Sequence, residues 1–160
     1  MHQEFHVTIY LVRHARAGER SAWRDDDTYR PLSARGHIQA RRLADVLADA
    51  EFDRVLSSPY VRCMESVVPL ASTRGLAIEP VDALAEGAHL DDALMLIRKH
   101  AVNGAVMCAH GDIIPMVLRH YAEMGIEIGK RPQWPKGCTW VLATDVTGQI
   151  REAKYLPPPA

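Results

Sequence analysis

Six short runs of apolar and β-branched residues, separated by stretches in which apolar positions recur every three or four residues, set the plan of this chain. Residues 6–12 are β-branched and apolar throughout, as a buried central strand requires, and the run ends at Arg13-His14. Ser33 is placed to cap a helix whose apolar positions Ile38, Leu43, Val46, Leu47 and Ala50 recur at helical spacing. Residues 52–56 predict a second strand. Ser57-Ser58-Pro59 then supplies a cap and a first-turn proline for a helix running toward Thr73 and stopped by Gly75. A third strand over 76–81, an amphipathic helix over 90–100, a fourth strand over 105–109 and a helix over 113–124 follow. Residues 138–144 and 149–156 flank Asp145-Val146-Thr147-Gly148 and read as a closing hairpin. This alternation predicts a single-domain α/β three-layer sandwich, its sheet mainly parallel and covered by helices on both faces. Ligands of such sheets bind beyond the carboxyl ends of the strands, where the first and fourth strands deliver His14 and His110.

Composition narrows the picture. A chain of 160 residues with 48% apolar content suits one domain, taken here as 1–156, followed by a disordered proline-rich tail at 157–160. Nineteen basic and twenty acidic side chains give a formal charge of -1, so nothing global draws the protein to a nucleic acid polymer or an anionic membrane. Any basic site is therefore local. No apolar run approaches the roughly 20 residues that span a bilayer, and the first residues lack the features of a signal peptide, which together predict a cytoplasmic protein. Cys63, Cys108 and Cys138 are odd in number and widely spaced, the pattern of reduced thiols rather than of a disulfide framework or a zinc site.

Arg62 falls on the first turn of the predicted second helix, where backbone N–H groups and the helix dipole favour an anion. Together with Arg13 it can grip one phosphate with bidentate guanidinium contacts. The other histidines, His2, His6, His37, His89, His100 and His120, read as surface or partly buried residues. His89 with Asp91 and Asp92 is too sparse for a metal site, so no metal is assigned. Arg35, Arg41 and Arg42 read as a solvated helix face, and Trp134 and Trp140 as core or rim aromatics.

Four ordered segments resemble one family. Arg13-His14-Ala15-Arg16-Ala17-Gly18 is similar to the Arg-His-Gly/Ala motif of the histidine phosphatase superfamily, the phosphoglycerate mutase-like proteins. Residues 30–40 resemble its Leu-Ser/Thr-x-x-Gly-x-x-Gln-Ala segment, 57–62 its Ser-Ser-Pro-x-x-Arg, and 109–111 its second-histidine loop. The short chain and the Arg-Pro-Leu-Ser form are most similar to the SixA-type phosphohistidine phosphatases. Trp134-Pro135-Lys136-Gly137 and Tyr155-Leu156-Pro157 also resemble the phosphatase-like domain attached to some bacterial Nudix hydrolases.

The resemblance implies a phosphoglycerate mutase-like fold and a phosphohydrolase that needs no metal or other cofactor. In it His14 takes the phosphoryl group while Arg13, Arg62 and His110 bind it. Glu86 stands where the mutase branch carries its acid, and Asp112 is a rival because another branch uses an aspartate directly after the second histidine. Ser33 and Arg16 are further candidates for phosphate or substrate contacts. The implied substrate is phosphohistidine in a protein, with a nucleotide or other small phosphorylated metabolite as the alternative. An inactive phospho-recognition module is a third reading, opposed by the retained nucleophile and arginines. Residues 87–109, filled by a predicted helix and strand, leave no room for a lid, so the pocket is expected to be shallow and open.

Overall fold

The computed structural model describes residues 8–160; His2, His6 and the start of the first predicted strand lie outside the described residues. Strands β1 (Thr8–Arg13), β2 (Arg54–Ser57), β3 (Ile78–Pro80) and β4 (Ala105–Ala109) run parallel, and the hairpin of β5 (Thr139–Thr144) and β6 (Ile150–Leu156) adds antiparallel to β1. The sheet order is β3-β2-β4-β1-β5-β6. Four helices cover it: α1 (Ala34–Val46), α2 (Val61–Arg74), α3 (Leu90–His100) and α4 (Ile113–Glu123).

Alternation along the central strands sends side chains to two separate cores. Val12, Val55, Val106 and Cys108 pack with Leu43, Leu47, Val67 and Leu70 of the α1/α2 layer. Ile9, Leu11, Met107 and Ala109 pack with Leu94, Ile97, Ile114, Val117 and Leu118 of the α3/α4 layer. Every residue of β4 is buried, as expected of a central parallel strand covered on both sides. The three-layer arrangement read from the pattern is the one observed. No helix among the described residues is long and apolar enough to cross a membrane.

Four local expectations change. Ile38 and Val46 are exposed at 40% and 53%. Leu43 and Leu47 are buried as expected, and Gly36, Ala40 and Ala44 complete the inner face of α1, because small residues let this helix lie against the chain that leaves β1. Helix α2 begins only at Val61, with Tyr60 at its N-cap; Ser58 is not its cap, because the Ser58 hydroxyl turns to His110 instead. Asp112 stands at the N-cap position of α4 without capping it, its carboxylate accepting the Gly87 N–H at 2.8 Å. The proline tail lies along the surface, with Pro158 and Pro159 half-buried beside Gln39.

Candidate active site

Strand pairing itself assembles the site. Arg13 and Ala109 are register partners in adjacent parallel strands, so the next residue of each, His14 and His110, emerges at the same carboxyl edge. Backbone bonds sew the edge together: the His14 N–H donates to Ala109 O at 3.1 Å, the Arg13 N–H to Cys138 O at 3.0 Å and the Ser58 N–H to Cys108 O at 2.9 Å. The Gly137 N–H reaches the carbonyls of Arg13 (3.2 Å) and His14 (3.0 Å), which anchors the turn after Trp134 to the same place. The two imidazoles stand edge to face with centroids 5.5 Å apart.

His14 is 5% exposed. Its Nδ1 lies 2.8 Å from the Ala15 carbonyl, which can only accept, so Nδ1 carries the hydrogen and Nε2 keeps its lone pair. Burial above all, with repulsion from His110, Arg62 and Arg13, outweighs the Ala15 bond and pushes the imidazole down to about 3. It is thus a neutral imidazole with its Nε2 lone pair free, close to Arg13 and Arg62. His110 Nε2 lies 2.8 Å from Ser58 Oγ, which also accepts the Tyr60 N–H at 3.2 Å. When the Ser58 hydroxyl donates to Nε2, the ring hydrogen of His110 stands on Nδ1.

Arg62 is 1% exposed, and its Nη atoms are occupied by the Asp27 carbonyl (2.9 Å), the Asp27 carboxylate (3.0 Å) and Glu86 (3.4 Å). Arg13 spends Nη1 on the Trp134 carbonyl at 2.8 Å. The bidentate fork expected from both arginines is therefore partly committed to protein partners. What remains is a set of three buried nitrogens without a hydrogen-bond partner: Arg13 Nε, Arg62 Nε and His110 Nδ1. Unpaired buried donors are costly, and three of them belong to residues that line one cavity with His14, an arrangement able to receive an anion.

That cavity, about 750 Å³, is lined by all five residues singled out from the sequence, Arg13, His14, Arg62, Glu86 and His110, and also by Asp112. Glu86 sits at the mouth, its side chain 37% exposed, 3.2 Å from Arg20. Ser33 is not among the lining residues. Its hydroxyl caps α1 by accepting the Gly36 N–H at 3.1 Å and donates to the Arg16 carbonyl at 3.2 Å. Gln39 holds the Arg16 N–H at 3.0 Å, so the 30–40 segment braces the chain after His14 and does not touch the pocket with these side chains. Among the described residues, no group of three or more His, Cys, Asp or Glu side chains is placed to hold a metal ion.

Sequence reasoning missed several participants. Asp27 ties together Arg30 (2.8 Å), Arg62 (3.0 Å) and Arg20 (3.5 Å), and nothing in its Asp-rich surroundings marks it out from Asp25 or Asp26. Burial pushes the Asp27 carboxyl up, but the three arginines outweigh it and hold it below the usual range. Residues 17–21 form a wall of the pocket, and Trp134 and Lys136 line it from the turn held by Gly137.

A model of the histidine phosphatase superfamily (branch 1) matches residues 9–93. The 8-oxo-(d)GTP phosphatase of Mycolicibacterium smegmatis is 32% identical over an alignment 158 residues long that covers 95% of this chain and 48% of that protein. The chain thus spans about half the length of this curated relative. Among solved structures, the protein histidine phosphatase SixA complexed with tungstate superposes with a TM-score of 0.73 at 18% identity, covering 96% of each chain. A chain from Agrobacterium tumefaciens described as SixA gives 0.74 at 23% identity, covering 94% of this chain and 98% of that one.

Proposed function

The chain belongs to the histidine phosphatase superfamily, and from that premise we propose that it is a phosphohydrolase working through a phosphohistidine on His14, without a metal ion. The observation that carries this reading is the neutral imidazole, its Nε2 lone pair available, beside three buried nitrogen donors that have no protein partner. In the first step Nε2 attacks phosphorus in line and the bond to the leaving oxygen breaks. Arg13 Nε, Arg62 Nε and His110 Nδ1 donate to the equatorial oxygens and stabilise the charge of the transition state. Water then attacks the phosphohistidine, releasing phosphate and returning the lone pair to His14. Glu86 is the proton donor for poor leaving groups in this reading; Asp112, held by Gly87, is its rival.

Two substrate classes have support. The SixA-like fold suits a phosphohistidine protein, and the 32% identity to a nucleotide phosphatase favours a nucleotide. Three free cysteines suit a reducing cytoplasm. The test is chemical quench of the working enzyme. A phosphoryl group stable to base and labile to acid is expected on His14, and His14→Ala should lose turnover by about 10⁴-fold or more. Near-native turnover in His14→Ala, or label on another residue, overturns the reading.

A further inference from the structure

The charges around the mouth of the pocket are not evenly paired. On one wall each arginine has a carboxylate: Arg30 meets Asp27, Arg62 meets Asp27 and Glu86, and Arg20 meets both at 3.5 and 3.2 Å. Lys136, which lines the same pocket, and Arg16 make no ion pair with any described residue. The charges that act most strongly on Lys136 are those of Arg13, Arg30, Arg16 and Arg62, all cationic. Burial first, and then these four charges, push its ammonium below the usual lysine value. Glu19, Glu86 and Asp112 line the same pocket, and none of them forms an ion pair with Lys136 or Arg16.

Lys136 also occupies a joint between two cavities. It lines the 750 Å³ pocket together with His14, and it lines an adjoining cavity of about 440 Å³ with Arg16, Ala17, Gln39, Pro135 and Pro158. Ala17 lies in both. The turn that carries Lys136 is fixed against the nucleophile, because its neighbour Gly137 bonds the carbonyls of Arg13 and His14. Arg16 is fixed as well, its backbone held by Gln39 and Ser33. One phosphate uses the three free donors around His14 and leaves Lys136, Arg16 and most of the volume unused.

Resting on the His14 reading, we propose that Lys136 and Arg16 form a second anion subsite, which takes the phosphate next to the one under attack and so selects phosphoanhydrides, such as a nucleoside di- or triphosphate, over simple monoesters. In the step that follows, His14 Nε2 bonds to the terminal phosphorus. The P–O bond to the neighbouring phosphate breaks, and the electron pair leaves on that phosphate's oxygen. Lys136 stabilises this charge, so the anhydride needs no proton from Glu86. Water then splits the P–N bond to give inorganic phosphate.

The experiment compares kcat and KM for a nucleoside triphosphate, the matching monophosphate, p-nitrophenyl phosphate and a phosphohistidine protein, using the full chain and its Lys136→Gln, Lys136→Arg and Arg16→Gln variants. We expect Lys136→Gln to lower kcat/KM for the triphosphate about 10-fold more than for either monoester, the scale of one charge-assisted contact, through kcat as well as KM because the contact strengthens as charge develops on the leaving oxygen. Arg16→Gln should act in the same direction, and Lys136→Arg should restore most of the loss. Equal losses on the triphosphate and the monoesters, or no loss, overturn the subsite. A loss confined to the phosphohistidine protein also overturns it, since these cations would then read an acidic partner surface. Native enzyme that forms no phosphohistidine on His14 refutes the underlying mechanism, whereas native enzyme that forms it but shows no preference for the triphosphate refutes only the subsite.

Discussion

The His14 ring, the nucleophile of the proposed mechanism, has consequences for both chemistry and stability. Burial holds the His14 imidazole at about 3, whereas an unfolded histidine titrates near 6.5. Between these values the unfolded chain binds a proton that the fold refuses, so stability falls as the pH drops from about 6.5 toward 3 and is unaffected by this group above that window. His14→Asn removes the titration. Urea unfolding at several pH values should show a shallower loss of stability on acidification in the variant, the difference reaching a few kcal/mol at the acid end. An unchanged slope would mean that the imidazole is protonated in the fold. Glu86 makes a second residue-scale case. It is partly exposed and shared between Arg20 and Arg62, and in the proposed mechanism its protonated form delivers a proton only where the leaving group needs one. Glu86→Gln should slow an alkyl phosphate by about 10²–10⁴-fold and barely change an activated aryl phosphate. Equal losses on the two would give Glu86 a binding role, and a selective loss in Asp112→Asn would move the acid there.

Two glycines show how elements hold the site. A Cβ on Gly36 would stand 1.9 Å from the Arg16 carbonyl oxygen, backbone that cannot move without shifting α1 off the strand behind His14. Gly36→Ala should therefore cost about 1–3 kcal/mol or more in chemical denaturation and lower activity with it. A Cβ on Gly111 would meet the Arg13 guanidinium at 2.7 Å, the far end of a flexible side chain. Gly111→Ala should leave stability nearly native yet lower kcat by about 10²-fold, the scale of one displaced transition-state donor. Matched losses of stability in both variants would show that Arg13 is as rigid as backbone. The same contrast explains what the chain disclosed in advance. The strands were legible because β1 and β4 are apolar on both faces, and the histidines because they end those strands. The inner face of α1 was misread in part because Gly36 and Ala40, which complete it, carry no hydrophobic signal, while Ile38 and Val46 point to solvent. Ser58 looked like a cap, since its tie to His110 crosses the sheet and leaves no local pattern. Asp27, Trp134 and Lys136 reach the pocket from loops, where periodicity says nothing.

Over the whole molecule, access to His14 depends on what borders the pocket. Residues 87–109 are largely taken up by α3 and β4, so the connection from Glu86 to His110 contributes no lid, and the wall comes from the short segment 17–21. Its rim is exposed, the Arg20 side chain to 64%, so a small substrate would meet few groups beyond those that grip its phosphate. Binding energy from remote parts of a substrate is what an enzyme converts into rate and discrimination, and a small monoester offers little of it here. Steady-state kinetics should therefore give low and similar kcat/KM values for phosphoglycerates and other small monoesters, and a clearly higher value for a nucleotide or a phosphohistidine protein. If, as proposed, guanidinium and imidazole groups neutralise the phosphate, a chelator should leave every rate unchanged, and vanadate should compete with substrate. A strong preference for phosphoglycerate would mean that residues 17–21 close over small ligands, and chelator-sensitive turnover restored by zinc or magnesium would assign the charge neutralisation to a metal.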